Sequence, residues 1–270
     1  LSNGISSDRK GSENMTTSGD IYNFIDSFAP FQSAMDFDNP GLLVGDRNTP
    51  VQTVLFALDI TPAVVEEDKN RRAQLIVSHH PVIFNPLRQL KKGSAPYLLA
   101  QYGIDAICAH TNLDMAEGGV NTALASQLQL KNVHTLKEYR PGFSEALMGE
   151  LDHPLSPAAF AAQVKQQLHC SGLRYTNGLR PIRIVGLCSG GGTDLLYDAV
   201  AAGCEGFVTG ESKHNLLLDA EQLQLTLVDA GHYETEVVVL EPLIQRISIH
   251  FPALNCVISQ TMHSPAVCIS

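Results

Sequence analysis

The chain has 270 residues, 44% hydrophobic and 17% charged, which is enough apolar material for a folded core and too much for a disordered chain. Eighteen basic against twenty-eight acidic residues leave a net charge of −10. That balance argues against a dedicated nucleic-acid binder, because phosphate neutralisation needs concentrated Lys and Arg. No apolar run approaches the roughly 20 residues of a membrane helix, so no membrane span is expected.

None of the six cysteines forms a C-x-x-C pair, which excludes a thiolate zinc knuckle or a thioredoxin-type redox pair. They read as buried, reduced thiols of a cytoplasmic protein. Residues 1–14 are polar and aperiodic, without the apolar centre of a signal peptide. Met15 reads as a natural start, and the stretch before it as a leader or added residues.

Along the chain, helical spacing appears first at residues 21–28. Extended, branched runs follow at 51–58, 74–78 and 104–109, with helix-like segments at 62–70, 95–102 and 120–128. This alternation predicts an α/β fold with mostly parallel sheets. The second half repeats it, with a strand at 146–151 and a helix at 158–168 that Ser156 caps and Pro157 opens. A strand at 182–187, a helix at 194–202, a strand at 206–209, a helix at 215–222, a strand at 225–228 and a long helix at 234–249 complete the series. The polar stretch 131–143, with Pro141-Gly142, reads as the break between two halves.

The chemistry gathers at four strand ends. One strand empties into His79-His80-Pro81, and another into His110-Thr111-Asn112-Leu113-Asp114. A third ends in Gly210-Glu211-Ser212-Lys213-His214, and a fourth leads to Gly231-His232 and Glu236. In open α/β sheets, ligands bind beyond the carboxyl ends of the strands. Adjacent imidazoles contribute little to packing, and at a strand end they splay and can serve two ions. His232 and Glu236, four apart at a helix start, share one face. That spacing alone also suits a surface contact, and Asp114 alone could be a cap. Taken together, three histidines and two carboxylates fit a mixed N/O site for one or two divalent ions such as zinc, iron or manganese. The turn Ser189-Gly190-Gly191-Gly192-Thr193 reads either as a plain tight turn or as a backbone anion cradle. No Lys follows the last Gly, so it is not a Walker loop.

The runs Asp38-Asn39-Pro40-Gly41-Leu42-Leu43-Val44-Gly45, Ser78-His79-His80-Pro81, Ala109-His110-Thr111-Asn112-Leu113-Asp114, Thr209-Gly210-Glu211 and Gly231-His232-Tyr233-Glu234-Thr235-Glu236 resemble the NIF-three-like family. Its bacterial members are often labelled GTP cyclohydrolase I type 2 homologues. The resemblance implies a dinuclear metal site on an α/β fold, with His79, His80, Asp114, His232 and Glu236 as ligands. It further implies a toroidal homohexamer, a trimer of dimers. Phe37 stands where that family commonly has Trp, a change expected to alter packing and spare the metals.

The resulting expectation is two interlinked α/β lobes. Residues 15–130 and 226–270 form a metal-binding lobe, residues 131–225 a second lobe, and the dinuclear site lies at strand C-terminal ends. The expected function is metal-dependent hydrolysis of a phosphoester or nucleotide-type small molecule, with His110, Glu211 and His214 as candidate catalytic residues. The alternative is a non-catalytic metal-binding scaffold or regulatory protein forming a ring-shaped oligomer.

Overall fold

Strands rich in Val, Ile and Leu with no polar face need cover on both sides, and both sheets of this protein have it. The computed structural model describes residues 15–269, so the expected leader at 1–14 lies outside the described residues. The first half runs α1 (Ser18–Phe28), β1 (Gly41–Val44), β2 (Thr53–Ala57), α2 (Pro62–Arg71), β3 (Leu75–Ser78), α3 (Ala95–Tyr102), β4 (Asp105–Cys108), α4 (Thr111–Asp114) and α5 (Val120–Gln127). Next come β5 (Lys131–Arg140), β6 (Phe143–Leu155), α6 (Pro157–Gln167), β7 (Arg174–Tyr175), β8 (Ile182–Leu187), α7 (Leu196–Ala201), β9 (Gly206–Thr209) and α8 (His214–Gln222). The chain closes with β10 (Thr226–Asp229), α9 (His232–Glu236), α10 (Leu240–His250) and β11 (Asn255–Ile258).

The first sheet has the order β1-β4-β3-β2-β11, parallel except for β1. Alternation along β2 explains its double burial: Val54 and Phe56 enter one apolar cluster, Leu55 and Ala57 the other. The second sheet has the order β5-β6-β8-β9-β10-β7. Here the expectation of mostly parallel sheets fails. Only β8, β9 and β10 run parallel, while the β5–β6, β6–β8 and β10–β7 pairs are antiparallel.

Two further expectations need correction, each for a physical reason. The polar stretch 131–143 is strand β5 and the turn of a hairpin with β6. Seven of the ten β5 residues are exposed and none is buried, so no apolar alternation marks it as a strand. Pro141-Gly142 is the hairpin turn, with Gly142 at φ 85°. The long helix expected at 234–249 breaks at a 3₁₀ turn, Val237–Val239. Three consecutive β-branched residues weaken the helix there, and the Thr235 hydroxyl donates back to the Gly231 and His232 carbonyls. The crossing from the second sheet to the first comes after β10, which itself lies inside the second sheet.

α5 joins the two halves. Val120 and Ala123 enter the first sheet's core, whereas Leu124, Ala125 and Leu128 enter the second's. Val238 touches both. On the hairpin, Arg140 Nη2 donates to Asp36 Oδ1 at 2.6 Å. All six cysteines are free, four of them buried.

Neighbouring carboxylates on α2 are tuned in opposite directions. Burial works against the Glu67 carboxylate, but main-chain N–H groups at Gln260 and Thr261 and hydroxyls of Ser259 and Thr261 hold its pKa down at about 2. Asp68 is fully buried and neither carboxyl oxygen has a hydrogen-bond partner, so burial, with Glu67 beside it, pushes its pKa up to about 7. An acid whose folded pKa exceeds its unfolded value favours the fold when protonated, so its contribution is lost as pH rises from about 4 through about 7. Asp68→Asn is expected to raise Tm at pH 8, recovering at most about 4 kcal/mol, with the gain shrinking toward pH 4. Thermal melts across that range check it; an equal gain at every pH would contradict the assignment.

Candidate metal centre

Side chains from the carboxyl ends of both sheets meet at one point. Because β3 lies between β4 and β2, the residues following β3 have neighbours on both sides. His79 donates from Nδ1 to the Ala109 carbonyl beyond β4 at 2.9 Å, and His80 from Nδ1 to Asp59 Oδ1 beyond β2 at 2.8 Å. His110 Nδ1 donates to Asp38 Oδ1 at 2.8 Å, and Asp38 Oδ2 accepts from Thr111 N and Oγ1. From the second sheet come His232 and Glu236 on α9, after β10, and Ser189, after β8.

Glu236 is the hub. Its Oε1 lies 3.1 Å from His232 Nε2 and 3.8 Å from His79 Nε2, and its Oε2 lies 3.0 Å from His80 Nε2. Asp114 Oδ1 is 3.5 Å from His79 Nε2 and accepts from Ser189 Oγ at 3.3 Å. Two groups that could hold a metal ion share Glu236: His79, Asp114 and Glu236, and His80, His232 and Glu236. A third set combines His79, His80 and His110; within each set the ligand atoms lie within 4.8 Å of one another.

The electrostatics favour a cation. Burial pulls the His79 imidazolium down, yet Asp114 and then Glu236 raise its pKa above the ordinary range. His80 is likewise opposed by burial and carried to about 10 by Asp59 and Glu236. Glu236's hydrogen bond raises His232. Burial lifts the Asp114 pKa, whereas Glu236, surrounded by imidazoles, is held well below the carboxylate range despite its burial. The Asp38 carboxyl, although burial opposes it, is held at about 2 by His110 and Thr111.

Two buried atoms, His79 Nε2 and Glu236 Oε2, lack a well-aligned hydrogen bond, the second although His80 Nε2 lies 3.0 Å away. Both belong to groups able to share a cation, and unsatisfied buried lone pairs are costly unless a ligand takes them. The residues present therefore fit a divalent metal. Gly190 makes room for them: it adopts φ +57°, and a Cβ there would overlap Glu236 Oε1 and lie 3.2 Å from His232 Nε2. Its carbonyl accepts from Gly210 N and Glu211 N, tying the β8 end to the β9 end. The five expected ligands thus come together.

The family model described as Duf34/NIF3 (NGG1p interacting factor 3) matches residues 16–265. The chain belongs to this family. A protein named "GTP cyclohydrolase 1 type 2 homolog" from Clostridium acetobutylicum is 30% identical over 250 residues, covering 87% of this chain and 93% of that protein. The crystal structure of Staphylococcus aureus hypothetical protein SA1388 superimposes with a TM-score of 0.88 at 29% identity, covering 95% of this chain and all of that one. Reduced HcgD from Methanocaldococcus jannaschii gives 0.78 at 25% identity, covering 90% of this chain and 98% of that one.

In this NIF3 family member the centre opens onto a cavity of about 290 Å³, lined by Met35, Phe37, His110, Asp114, Glu145 and His232 among others. Phe37 is 63% exposed, its ring 6.4 Å from that of Phe84. Glu211 borders a second cavity of about 310 Å³ that shares Gly191 with the first, and its Oε1 lies 3.5 Å from His232 Nδ1. His214 opens α8, exposed, and no hydrogen bond or ion pair among the described residues joins it to the cluster. Sequence reading overlooked Asp59, although it sits at a strand end like the others, and gave Asp38 and Ser189 no part beside the ligands. Gly190→Ala is expected to keep the fold at a cost of about 1–2 kcal/mol for a left-handed alanine, because the clash itself falls on a side chain, while displacing Glu236 and weakening Zn²⁺ binding at least about tenfold. Circular dichroism and equilibrium dialysis check the two halves of that statement; undiminished Zn²⁺ binding would contradict it.

Proposed function

We propose that the protein is a metal-dependent hydrolase acting on a phosphoester or nucleotide-type small molecule, with two divalent ions, zinc, iron or manganese, held at this cluster. The observation that carries the reading is the pair of ligand groups that share the buried Glu236, with His79 Nε2 and Glu236 Oε2 lacking well-aligned hydrogen bonds inside a ring of imidazoles and carboxylates. His79 and Asp114 would hold one ion, His80 and His232 the other, and Glu236 would serve both. Divalent ions supply Lewis acidity and make water more acidic in such sites. The name shared by the curated relatives supports a nucleotide-type ring as the substrate.

Around the ligands, this chain's own groups would handle substrate and protons. His110, with Nδ1–H fixed on Asp38, presents Nε2 as a proton acceptor at the cavity wall. Glu211 and His214 are the second lobe's acid/base candidates, Glu211 the nearer of the two. The apolar wall of Met35 and Phe37 would exclude water from one side of a bound substrate. We assign the ligands to a lobe of residues 15–130 and 226–270, whose β10 pairs into the sheet of the facing lobe of 131–225, in a cytoplasmic homohexamer built as a trimer of dimers. No helix among the described residues is long and apolar enough to cross a membrane.

A second reading is a metal-binding scaffold without turnover. It is favoured by β5, a ten-residue edge strand with seven exposed residues and none buried, since such edges pair readily with other chains. Protein never exposed to chelator is expected to hold about two transition-metal ions per chain; far less than one, with no gain on reconstitution, overturns both readings. On a panel of phosphoesters and nucleotides, metal-stimulated turnover is expected, reduced on the order of 100-fold or more by Asp114→Ala. A metal-loaded protein inert across the panel, with Asp114→Ala altering only assembly, would leave the scaffold. Light scattering is expected to give a hexamer, and a stable monomer across salt and protein concentration would contradict that assembly.

A further inference from the structure

Three imidazoles of the cluster share one arrangement. His79, His80 and His110 each place Nδ1 on an outer oxygen, the Ala109 carbonyl, Asp59 Oδ1 and Asp38 Oδ1 respectively. An acceptor opposite Nδ1 keeps a proton there and leaves Nε2 as the nitrogen that can give up its proton to a metal ion.

The supports are unequal. His79 has a fully buried side chain, held by packing and by a main-chain carbonyl. The His80 side chain is 24% exposed, and its outer acceptor is a side chain that is itself 51% exposed. Among the described residues, Asp59 makes no hydrogen bond or ion pair except to His80. Nor does the following helix need it, because Thr61 caps α2 with its own hydroxyl. A carboxylate at this position therefore has no evident task in the fold.

We propose that Asp59 is a positioning residue for one of the two ion positions: by holding His80 Nδ1–H, it aims Nε2 into the group formed with His232 and Glu236. The group of His79, Asp114 and Glu236 does not depend on it. This inference rests on the metal-centre reading above, and its test separates the two.

Metal-free wild type, Asp59→Ala, Asp59→Asn, His80→Ala and the Asp59→Ala/His80→Ala double variant are titrated with Zn²⁺ against a chromophoric chelator. Asp59→Ala is expected to weaken one of two ions by about 10- to 100-fold, the usual effect of losing an outer hydrogen-bond partner, and to leave the other within about threefold. Asp59→Asn keeps an oxygen that accepts from Nδ1–H, and is expected to recover most of the loss. In the His80→Ala background, Asp59→Ala is expected to add nothing, because the two residues act as one unit. Unchanged Zn²⁺ affinity in Asp59→Ala overturns the proposal, as does equal weakening of both ions. A further loss in the His80→Ala background also overturns it, since Asp59 would then act through its charge alone. A wild type that binds no Zn²⁺ overturns the metal-centre reading itself, and the proposal with it.

Discussion

A carboxylate buried among three imidazoles governs this molecule. Glu236 is only 3% exposed, and an ionised carboxylate taken out of water costs several kcal/mol unless charge and hydrogen bonding compensate. His79, His80 and His232 supply that compensation, and they come from opposite ends of the chain. Other features follow from the need to bring them together. Gly190 must lack a side chain, Gly210 must approach the His232 backbone closely, and Thr235 must accept from Gly190 N while donating back within its own turn.

The site lies on a seam between two sheets, so the joint between the halves acts on the chemistry. α5 contributes side chains to both cores, and Asn121 on it is linked to the centre through Ser189. Its Oδ1 accepts from Ser189 N and its Nδ2 donates to the Glu145 carbonyl, and Ser189 in turn holds Asp114. A rotation of one half against the other would separate Asp114 and His79 from Glu236. The β5–β6 hairpin adds a second strut through Arg140 and Tyr139 to the segment around Asp36. That segment leads into Asp38, the partner of His110.

Much of the centre was legible before the fold was known, because its signals are local. Adjacent histidines at a strand end, and His and Glu one helical turn apart, need only a secondary-structure reading to become ligand candidates. Asp59 and Asp38 were harder to place because their roles consist of contacts to His80 and His110, 21 and 72 positions away. His214 shows how far a local reading reaches. It shares a strand end with Glu211, yet the opening turn of α8 leaves it exposed while Glu211 lies beside His232.

The same division runs through the fold. By itself, the order of residues determined the alternation of strands and helices: capping residues, Pro at the first helical turn and branched apolar runs act within a few positions. It also determined the family and the five ligand candidates, whose spacing is local within each motif. Only the tertiary structure decided strand direction in the second sheet, the strand character of the polar β5, and the break in the last long helix. Strand direction depends on pairing between segments far apart in the chain, as β6 on β8 shows, and β5 is a strand because β6 pairs with it across the hairpin, while the helix break comes from three branched residues and a hydroxyl that competes for the backbone, a balance that apolar spacing does not record. Which carboxylate holds which imidazole belongs to the same class, because strand order places Asp59 beside His80 and nothing in the intervening residues records that neighbourhood.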